Sequence, residues 1–205
     1  MTIWKMTSNF KVANTKIEGE WSSIISKLNK CKFFSCDDYD LKNAISGVAI
    51  KSETGNINDL LRTKEPELPE DYSLTILYEH PTIKKLIDLF DLQTTRIRIF
   101  KQIPGSYTPL HVDYNNTKAK SQKEFLTRIW TAITEDDLFE YYFMEDGKSR
   151  TVTLRQGESV VFNPDKVYHG AANKSKNIRY SLNIIGYPNE WLKNLLRKKE
   201  FILYE

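Results

Sequence analysis

Apolar positions recur at two different periods along this chain. In residues 17–29, Ile17, Trp21, Ile24, Ile25 and Leu28 fall at three- and four-residue spacing, which predicts an amphipathic helix. A second helix is predicted from Pro81 to about Leu92, with Ile83, Leu86, Ile87 and Phe90 on one stripe and proline at its first position. Between them, residues 47–52 and 73–78 read as short strands, and 53–71, polar with Pro66 and Pro69, as a long loop. From Thr94 the period shortens to two. The runs 96–100, 127–133, 140–144, 151–154, 159–162 and 179–185 predict strands, divided by turns at Pro104-Gly105, Asp146-Gly147 and Gln156-Gly157. A short helix is expected over Asn189–Lys199. Six or seven strands at this spacing predict a β-sandwich or small barrel behind a helical first half, an α+β fold.

Composition narrows the class. The 205 residues are 40% hydrophobic and 28% charged, with a net charge of +3, as expected of one globular domain. We divide it into a mixed supporting region (1–93), a β core carrying the site (94–188) and a C-terminal helix (189–205). The lysines are dispersed, so nucleic acid is disfavoured as a partner. The basic run Lys193–Lys199 is read as the solvated face of the last helix. No apolar stretch reaches the length of a membrane span, and nothing behind Met1 resembles a signal peptide, so a cytoplasmic protein is expected. Cys31 and Cys36 are expected to be reduced, partly buried thiols.

The three histidines carry the chemical signal. His80 precedes Pro81 and is expected just outside a helix start. His111 and Asp113 are two apart on extended chain, and with a side-chain period of two both point the same way. With His169 they make two histidines and one carboxylate, the facial arrangement that holds non-haem iron(II) and leaves positions open. Ten residues later comes Arg179, whose strand face it shares with Ser181 and Asn183. A guanidinium is suited to clamping a carboxylate through two parallel hydrogen bonds, and a hydroxyl can add a third.

These residues sit in a longer string: Arg98-Ile99-Phe100-Lys101-Gln102-Ile103-Pro104-Gly105, Pro109-Leu110-His111-Val112-Asp113, Arg128-Ile129-Trp130, Gln156-Gly157-Glu158, Tyr168-His169-Gly170-Ala171-Ala172-Asn173 and Arg179-Tyr180-Ser181-Leu182. Residues 96–191 thereby resemble the 2-oxoglutarate and iron(II) oxygenase superfamily. Within it they are most similar to the aspartyl/asparaginyl β-hydroxylase and free-proline hydroxylase branch. The resemblance implies a double-stranded β-helix core, jelly-roll and cupin-like, with supporting helices. It implies iron(II) on His111, Asp113 and His169, and 2-oxoglutarate and O₂ as cosubstrates. Arg179, helped by Ser181, would take the far carboxylate of 2-oxoglutarate; Arg128 would face the near carboxylate or the substrate. Trp130 stands where that branch often has a histidine. Asp113 favours hydroxylation over halogenation.

Arg98, Tyr107, Tyr114, Trp130 and the 115–123 loop are expected to contact a small-molecule or peptide substrate, the loop as a lid or a plain surface loop. Two other readings compete. Nucleic-acid demethylases of the superfamily carry Arg-x-Asn-x-Thr-x-Arg, which Arg179-Tyr180-Ser181-Leu182-Asn183 does not match. A non-enzymatic metal-binding cupin, such as a small-molecule sensor, could use the same ligands but has no particular need for Arg179.

Overall fold

The structure, a computed structural model, describes residues 10–14, 20–35, 45–60, 68–90, 92–113, 126–145, 147–190 and 192. The supporting region contains β1 (Phe10–Asn14), α1 (Trp21–Lys30), β2 (Phe34–Ser35), β3 (Ile45–Ser52), β4 (Ser73–Leu74) and α2 (Pro81–Phe90). The β region then runs through β5 (Gln93–Gln102), β6 (Tyr107–His111), β7 (Thr127–Ala132), β8 (Phe139–Glu145), β9 (Lys148–Thr153), β10 (Glu158–Phe162), β11 (Tyr168–Asn173) and β12 (Arg179–Tyr187).

These strands form two antiparallel sheets. The larger is ordered β1-β10-β7-β12-β5-β3-β2, with β4 beside β3; the smaller is β6-β11-β8-β9. Aromatic side chains join them: Trp130, Val160 and Phe162 of the large sheet pack against Tyr141, Phe143 and Val152 of the small one. The result is the double-stranded β-helix expected from the sequence. On the other face of the large sheet, Ile97, Ile99, Ile129, Leu182 and Ile184 form a second core with Ile24 and Leu28 of α1 and Ile83, Leu86 and Phe90 of α2. Strand period two therefore sends odd and even residues of β5, β7 and β12 into different environments.

Both long helices form where the period predicts. Lys27 and Lys30 in the last turn of α1 complement the helix dipole. Pro81 opens α2, where its missing N–H costs nothing. A hairpin joins β8 to β9 where the sequence expects a turn, and Gly147 takes a φ of 73°, which glycine adopts without strain; Asp146 lies outside the described residues.

Three expectations change. The strand expected over 73–78 stops at Leu74, because the Thr75 side chain accepts the Leu77 N–H and turns the chain into a 3-10 helix, Ile76–Glu79. The loop expected over 53–71 ends in a 3-10 turn, Pro69–Asp71. From β5 on, the described residues form eight strands rather than six or seven, and two more than expected, β1 and β2, precede them; β1, β2, β6 and β11 had no clear alternation to mark them. Of the helix expected over Asn189–Lys199, Glu190 and Leu192 are helical, and residues 193–199 lie outside the described residues, as do Cys36 and the loop 114–125. No described helix is long and apolar enough to cross a membrane.

Candidate active site

The β6–β11 ladder puts His111 directly opposite His169, with ring centroids 4.4 Å apart. The register slips just after His169, and glycine permits the close approach there. A Cβ on Gly170 would lie 2.7 Å from the Thr108 carbonyl oxygen and 3.1 Å from that of Pro109. Asp113 follows β6 and is tied by its backbone N–H to the Pro164 carbonyl (2.9 Å). Its Oδ1 lies 3.5 Å from His111 Nε2 and 3.7 Å from His169 Nε2. One ligand atom from each of the three residues falls within 4.8 Å of the others.

The histidine tautomers follow from their partners. The Nδ1–H of His111 donates to the Pro109 carbonyl (2.8 Å), and that of His169 to the Val167 carbonyl (2.9 Å). A carbonyl only accepts, so in each neutral ring Nε2 keeps its lone pair and turns it toward the cluster, the arrangement that fixes a ligating histidine. His169 is fully buried, and burial, with the Arg128 guanidinium next, pushes its pKa down to about 3. Burial alone would raise the Asp113 carboxyl. The Arg128 guanidinium and both histidines outweigh it and hold Asp113 well below the usual carboxylate range. Both groups are therefore in the ligating form at neutral pH.

Arg128 on β7 bridges this cluster. Its Nη2 pairs with Asp113 Oδ2, and its Nη1 donates to His169 Nε2 (3.1 Å); its Nε is buried with no partner among the described residues. Trp130, one pleat further, packs on His169 (centroids 5.4 Å), Phe162 (5.0 Å) and Tyr141 (5.2 Å).

A cavity between the sheets opens from this cluster. Its floor is the inner face of β5, β7 and β12: Arg96, Arg98, Phe100 and Gln102, then Ser181, Asn183 and Ile185, with Arg128 and Trp130. The ladders place Arg98 opposite Asn183 and Asn183 opposite Trp130, and further along Gln102 opposite Arg179. Arg179 therefore lies on the same strand face, beyond Ser181 and away from the histidines. It is not on the cavity wall itself; Tyr141, which is, covers its guanidinium at 3.8 Å from the ring centroid. Its Nη1 donates to the Glu140 (3.1 Å) and Ala172 (3.2 Å) carbonyls. Its Nη2 is buried with no partner among the described residues.

The structure thus gathers His111, Asp113, His169, Arg128, Trp130, Arg98 and Ser181 around one cavity, with Arg179 behind Tyr141 at its inner end. Tyr107 departs from expectation: it is 53% exposed and off the cavity wall, because its neighbour Thr108 takes the inward position of β6. Tyr114 lies outside the described residues. Arg96, Gln102 and Tyr141 were not singled out as site residues in the sequence, although strand period two on either side of Arg98 places Arg96 and Gln102 on its face; Asn183 was placed on the Arg179 face but given no role.

No family model and no curated protein sequence matches this chain. Solved structures share its fold at low identity. HygX from Streptomyces hygroscopicus, solved with nickel and 2-oxoglutarate bound, superposes with a TM-score of 0.57 at 12% identity over 90% of this chain and 84% of that one. A Pseudomonas putida prolyl-4-hydroxylase gives 0.56 at 10% identity, over 89% and 94%. A Trichoplax adhaerens prolyl hydroxylase, in complex with a hypoxia inducible factor peptide fragment, gives 0.56 at 12%, over 92% and 87%.

Proposed function

We propose that this chain is an iron(II)- and 2-oxoglutarate-dependent dioxygenase that hydroxylates an unactivated C–H bond of a free amino acid, an amino-acid derivative or a peptide side chain. It acts as one oxygenase domain, in the cytoplasm. The observation that carries this reading is a pairing across one cavity. Two histidine Nε2 lone pairs and a carboxylate converge at one end, and a buried arginine with a nitrogen that has no partner among the described residues stands at the other.

The residues fit the group. Two neutral imidazoles and one carboxylate suit iron(II) and leave part of its coordination sphere to other ligands. Arg179 Nη2 and Arg128 Nε have no acceptor among the described residues, and a dicarboxylate offers one to each. When bound, iron(II) with 2-oxoglutarate and O₂ supplies oxidative decarboxylation to succinate and CO₂ coupled to insertion of oxygen into a C–H bond.

The chain's own side chains do the rest. His111, Asp113 and His169 hold the metal, each histidine kept in its ligating tautomer by a carbonyl two residues upstream. Arg128 keeps Asp113 ionised and faces the near carboxylate of 2-oxoglutarate. Arg179, with Ser181, takes the far carboxylate, its guanidinium plane set by the Tyr141 ring. Trp130, Phe143 and Phe162 close one side against water. The fold shared with HygX, itself solved with 2-oxoglutarate bound, supports the assignment.

The test is an anaerobic titration of iron(II)-loaded protein with 2-oxoglutarate, followed by the visible charge-transfer absorption of the chelate. The band should form, be absent in His169→Ala, and need about 10–100 times more 2-oxoglutarate in Arg179→Gln, the worth of a hydrogen bond to a charged group. A fully metallated protein with no band would replace this reading with the metal-binding sensor.

A further inference from the structure

The inner end of the cavity holds more hydrogen-bond donors than Arg179 alone. Gln102 and Tyr141 line the cavity and are 4% and 2% exposed. The amide nitrogen of Gln102 and the hydroxyl of Tyr141 are buried with no partner among the described residues, as is Arg179 Nη2. Resting on the function proposed above, we infer that Gln102 and Tyr141 are cosubstrate-binding residues. Gln102 Nε2 and the Tyr141 hydroxyl donate to the far carboxylate of 2-oxoglutarate together with Arg179 Nη2. They thereby set how strongly the site prefers a 2-oxo acid that carries a second carboxylate.

The three side chains come from three strands and meet by register. The β5–β12 ladder puts Gln102 directly opposite Arg179, and Phe100 opposite Ser181. Residues directly opposite each other in an antiparallel pair share a sheet face, so Gln102 and Arg179 stand side by side on the inner face. Tyr141 comes from across the cavity, on β8 of the small sheet, where it pairs with Ala171. Its ring lies 3.8 Å from the Arg179 guanidinium. Both sheets therefore bring donors to the same end of the cavity.

The hydrogen bonds of Arg179 limit what it can do by itself. A guanidinium clamps a carboxylate best through two parallel N–H donors. Arg179 Nη1 already donates to the Glu140 and Ala172 carbonyls, at 3.1 and 3.2 Å, and those bonds use both of its hydrogens. The fork between Nη1 and Nη2 is therefore closed to a ligand, and the clamp expected from the sequence needs other donors. An ionised carboxylate presents two oxygens and about four lone-pair sites, more than Nη2 can fill. Gln102 and Tyr141, with Ser181, supply neutral donors for the rest.

The donor set also indicates what it receives. Guanidinium and amide nitrogens only donate, so Arg179 Nη2 and Gln102 Nε2 cannot satisfy each other. Buried donors without an acceptor are rare, and their gathering at one end of one cavity points to an acceptor-rich ligand. Hydrogen bonds to a charged partner are also the stronger kind, which favours a carboxylate over a neutral carbonyl. Tyr141 then has two separable tasks: its ring face holds the guanidinium and its hydroxyl meets the ligand.

The experiment uses the full chain loaded with iron(II), without oxygen. It is titrated with 2-oxoglutarate and with pyruvate, which has the same chelating end and no second carboxylate, following the visible band. Tyr141→Phe and Gln102→Leu should each raise half-saturation by 2-oxoglutarate about tenfold, while pyruvate half-saturation and calorimetric iron(II) affinity stay within about twofold. Gln102→Glu sets one carboxylate against another and should weaken 2-oxoglutarate further than Gln102→Leu does. Without ligand, Tyr141→Phe should have a urea midpoint no lower than the parent, because its hydroxyl gives up no partner. Three results overturn the inference while leaving the oxygenase reading intact. One is unchanged half-saturation by 2-oxoglutarate in either Tyr141→Phe or Gln102→Leu. Another is equal weakening of 2-oxoglutarate and pyruvate, the mark of a disturbed cavity. The third is a lower ligand-free midpoint in Tyr141→Phe, the mark of a structural hydroxyl. A parent protein whose band never forms removes the oxygenase reading and this inference with it.

Discussion

The two faces of strands β5, β7 and β12 are made from the same stretches of chain, yet they hold opposite chemistry. The outer face presents Ile97, Ile99, Ile129, Leu182 and Ile184 to the two helices. The inner face carries Arg96, Arg98, Arg128 and Arg179, with Ser181 and Asn183. Each fully buried aliphatic contributes roughly 1.5–3 kcal/mol of transfer free energy. Each buried guanidinium incurs a desolvation penalty of several kcal/mol that only good pairing repays. The outer face therefore sustains the fold, and the inner face gives up some of that stability to place polar and charged groups around a cavity. Function is written on alternate residues of elements whose other residues are ordinary core.

The first way to break this comparison is on the outer face. Ile97 is fully buried, and Ile97→Ala should lower the free energy of unfolding by about 2–5 kcal/mol, read from denaturant midpoints, through lost burial and the cavity left behind. The folded fraction should bind iron(II) and 2-oxoglutarate as before. A variant that keeps its stability but loses 2-oxoglutarate affinity would show the two faces to be one unit. On the inner face, His169→Ala should lower iron(II) affinity by more than about 100-fold, since even indirect support of a ligand is worth 10- to 100-fold. Calorimetric titration under nitrogen measures this directly.

The same division explains what could be read in the sequence. Both helices were legible because their apolar stripes recur at helical spacing, and β5, β7 and β12 because their residues alternate. His111 and Asp113 were legible as a pair because strand period alone aligns them. The position of His169 opposite His111 was not. It depends on the β6–β11 register and on the close approach at Gly170, both set by partners distant in sequence. The strand β11, Tyr168-His169-Gly170-Ala171-Ala172-Asn173, is buried almost throughout, so no alternation announced it. Arg96 was visible as one of an alternating run, but nothing local says that this face lines a cavity rather than meeting solvent. Tyr141 belongs to an aromatic cluster in which cavity wall and core look alike until the sheets are stacked.

Arg179→Met sharpens the comparison by setting stability against binding at one position. The guanidinium is 2% exposed and one of its nitrogens has no partner among the described residues, so methionine removes a desolvation penalty and keeps much of the volume. Without ligand, the variant should be as stable as the parent or more stable, by up to about 1–4 kcal/mol. Its demand for 2-oxoglutarate should rise about 10–100-fold, as for the glutamine variant. Denaturant midpoints with and without 2-oxoglutarate separate the two effects, because bound ligand should stabilise the parent and leave the variant almost unmoved. Loss of stability in the ligand-free variant would mean that the two carbonyl hydrogen bonds and the Tyr141 contact already repay the burial of the charge.

The smallest effect concerns the third histidine, which belongs to the outer side. His80 sits at the head of α2, 9% exposed. Its Nδ1 accepts the Thr82 N–H (3.3 Å), so a neutral ring carries its proton on Nε2, which faces Ser23 Oγ of α1 at 3.4 Å. Burial first, and the charge of Lys27 second, hold its pKa below the usual histidine value. As pH falls through about 6.5 the unfolded chain takes up this proton before the folded one does, so folding stability declines on acidification until the folded ring titrates. Protonation also turns the Nδ1 acceptor into a donor facing another donor. His80→Gln removes the titration, so the gap in urea midpoint between parent and variant should shift against the parent between pH 7.5 and 5.5. His169 titrates in both proteins and cancels from that difference. An unchanged gap would mean that His80 stays hydrated enough to protonate equally in both states, and that the outer core closes over α1 and α2 less tightly than its burial indicates.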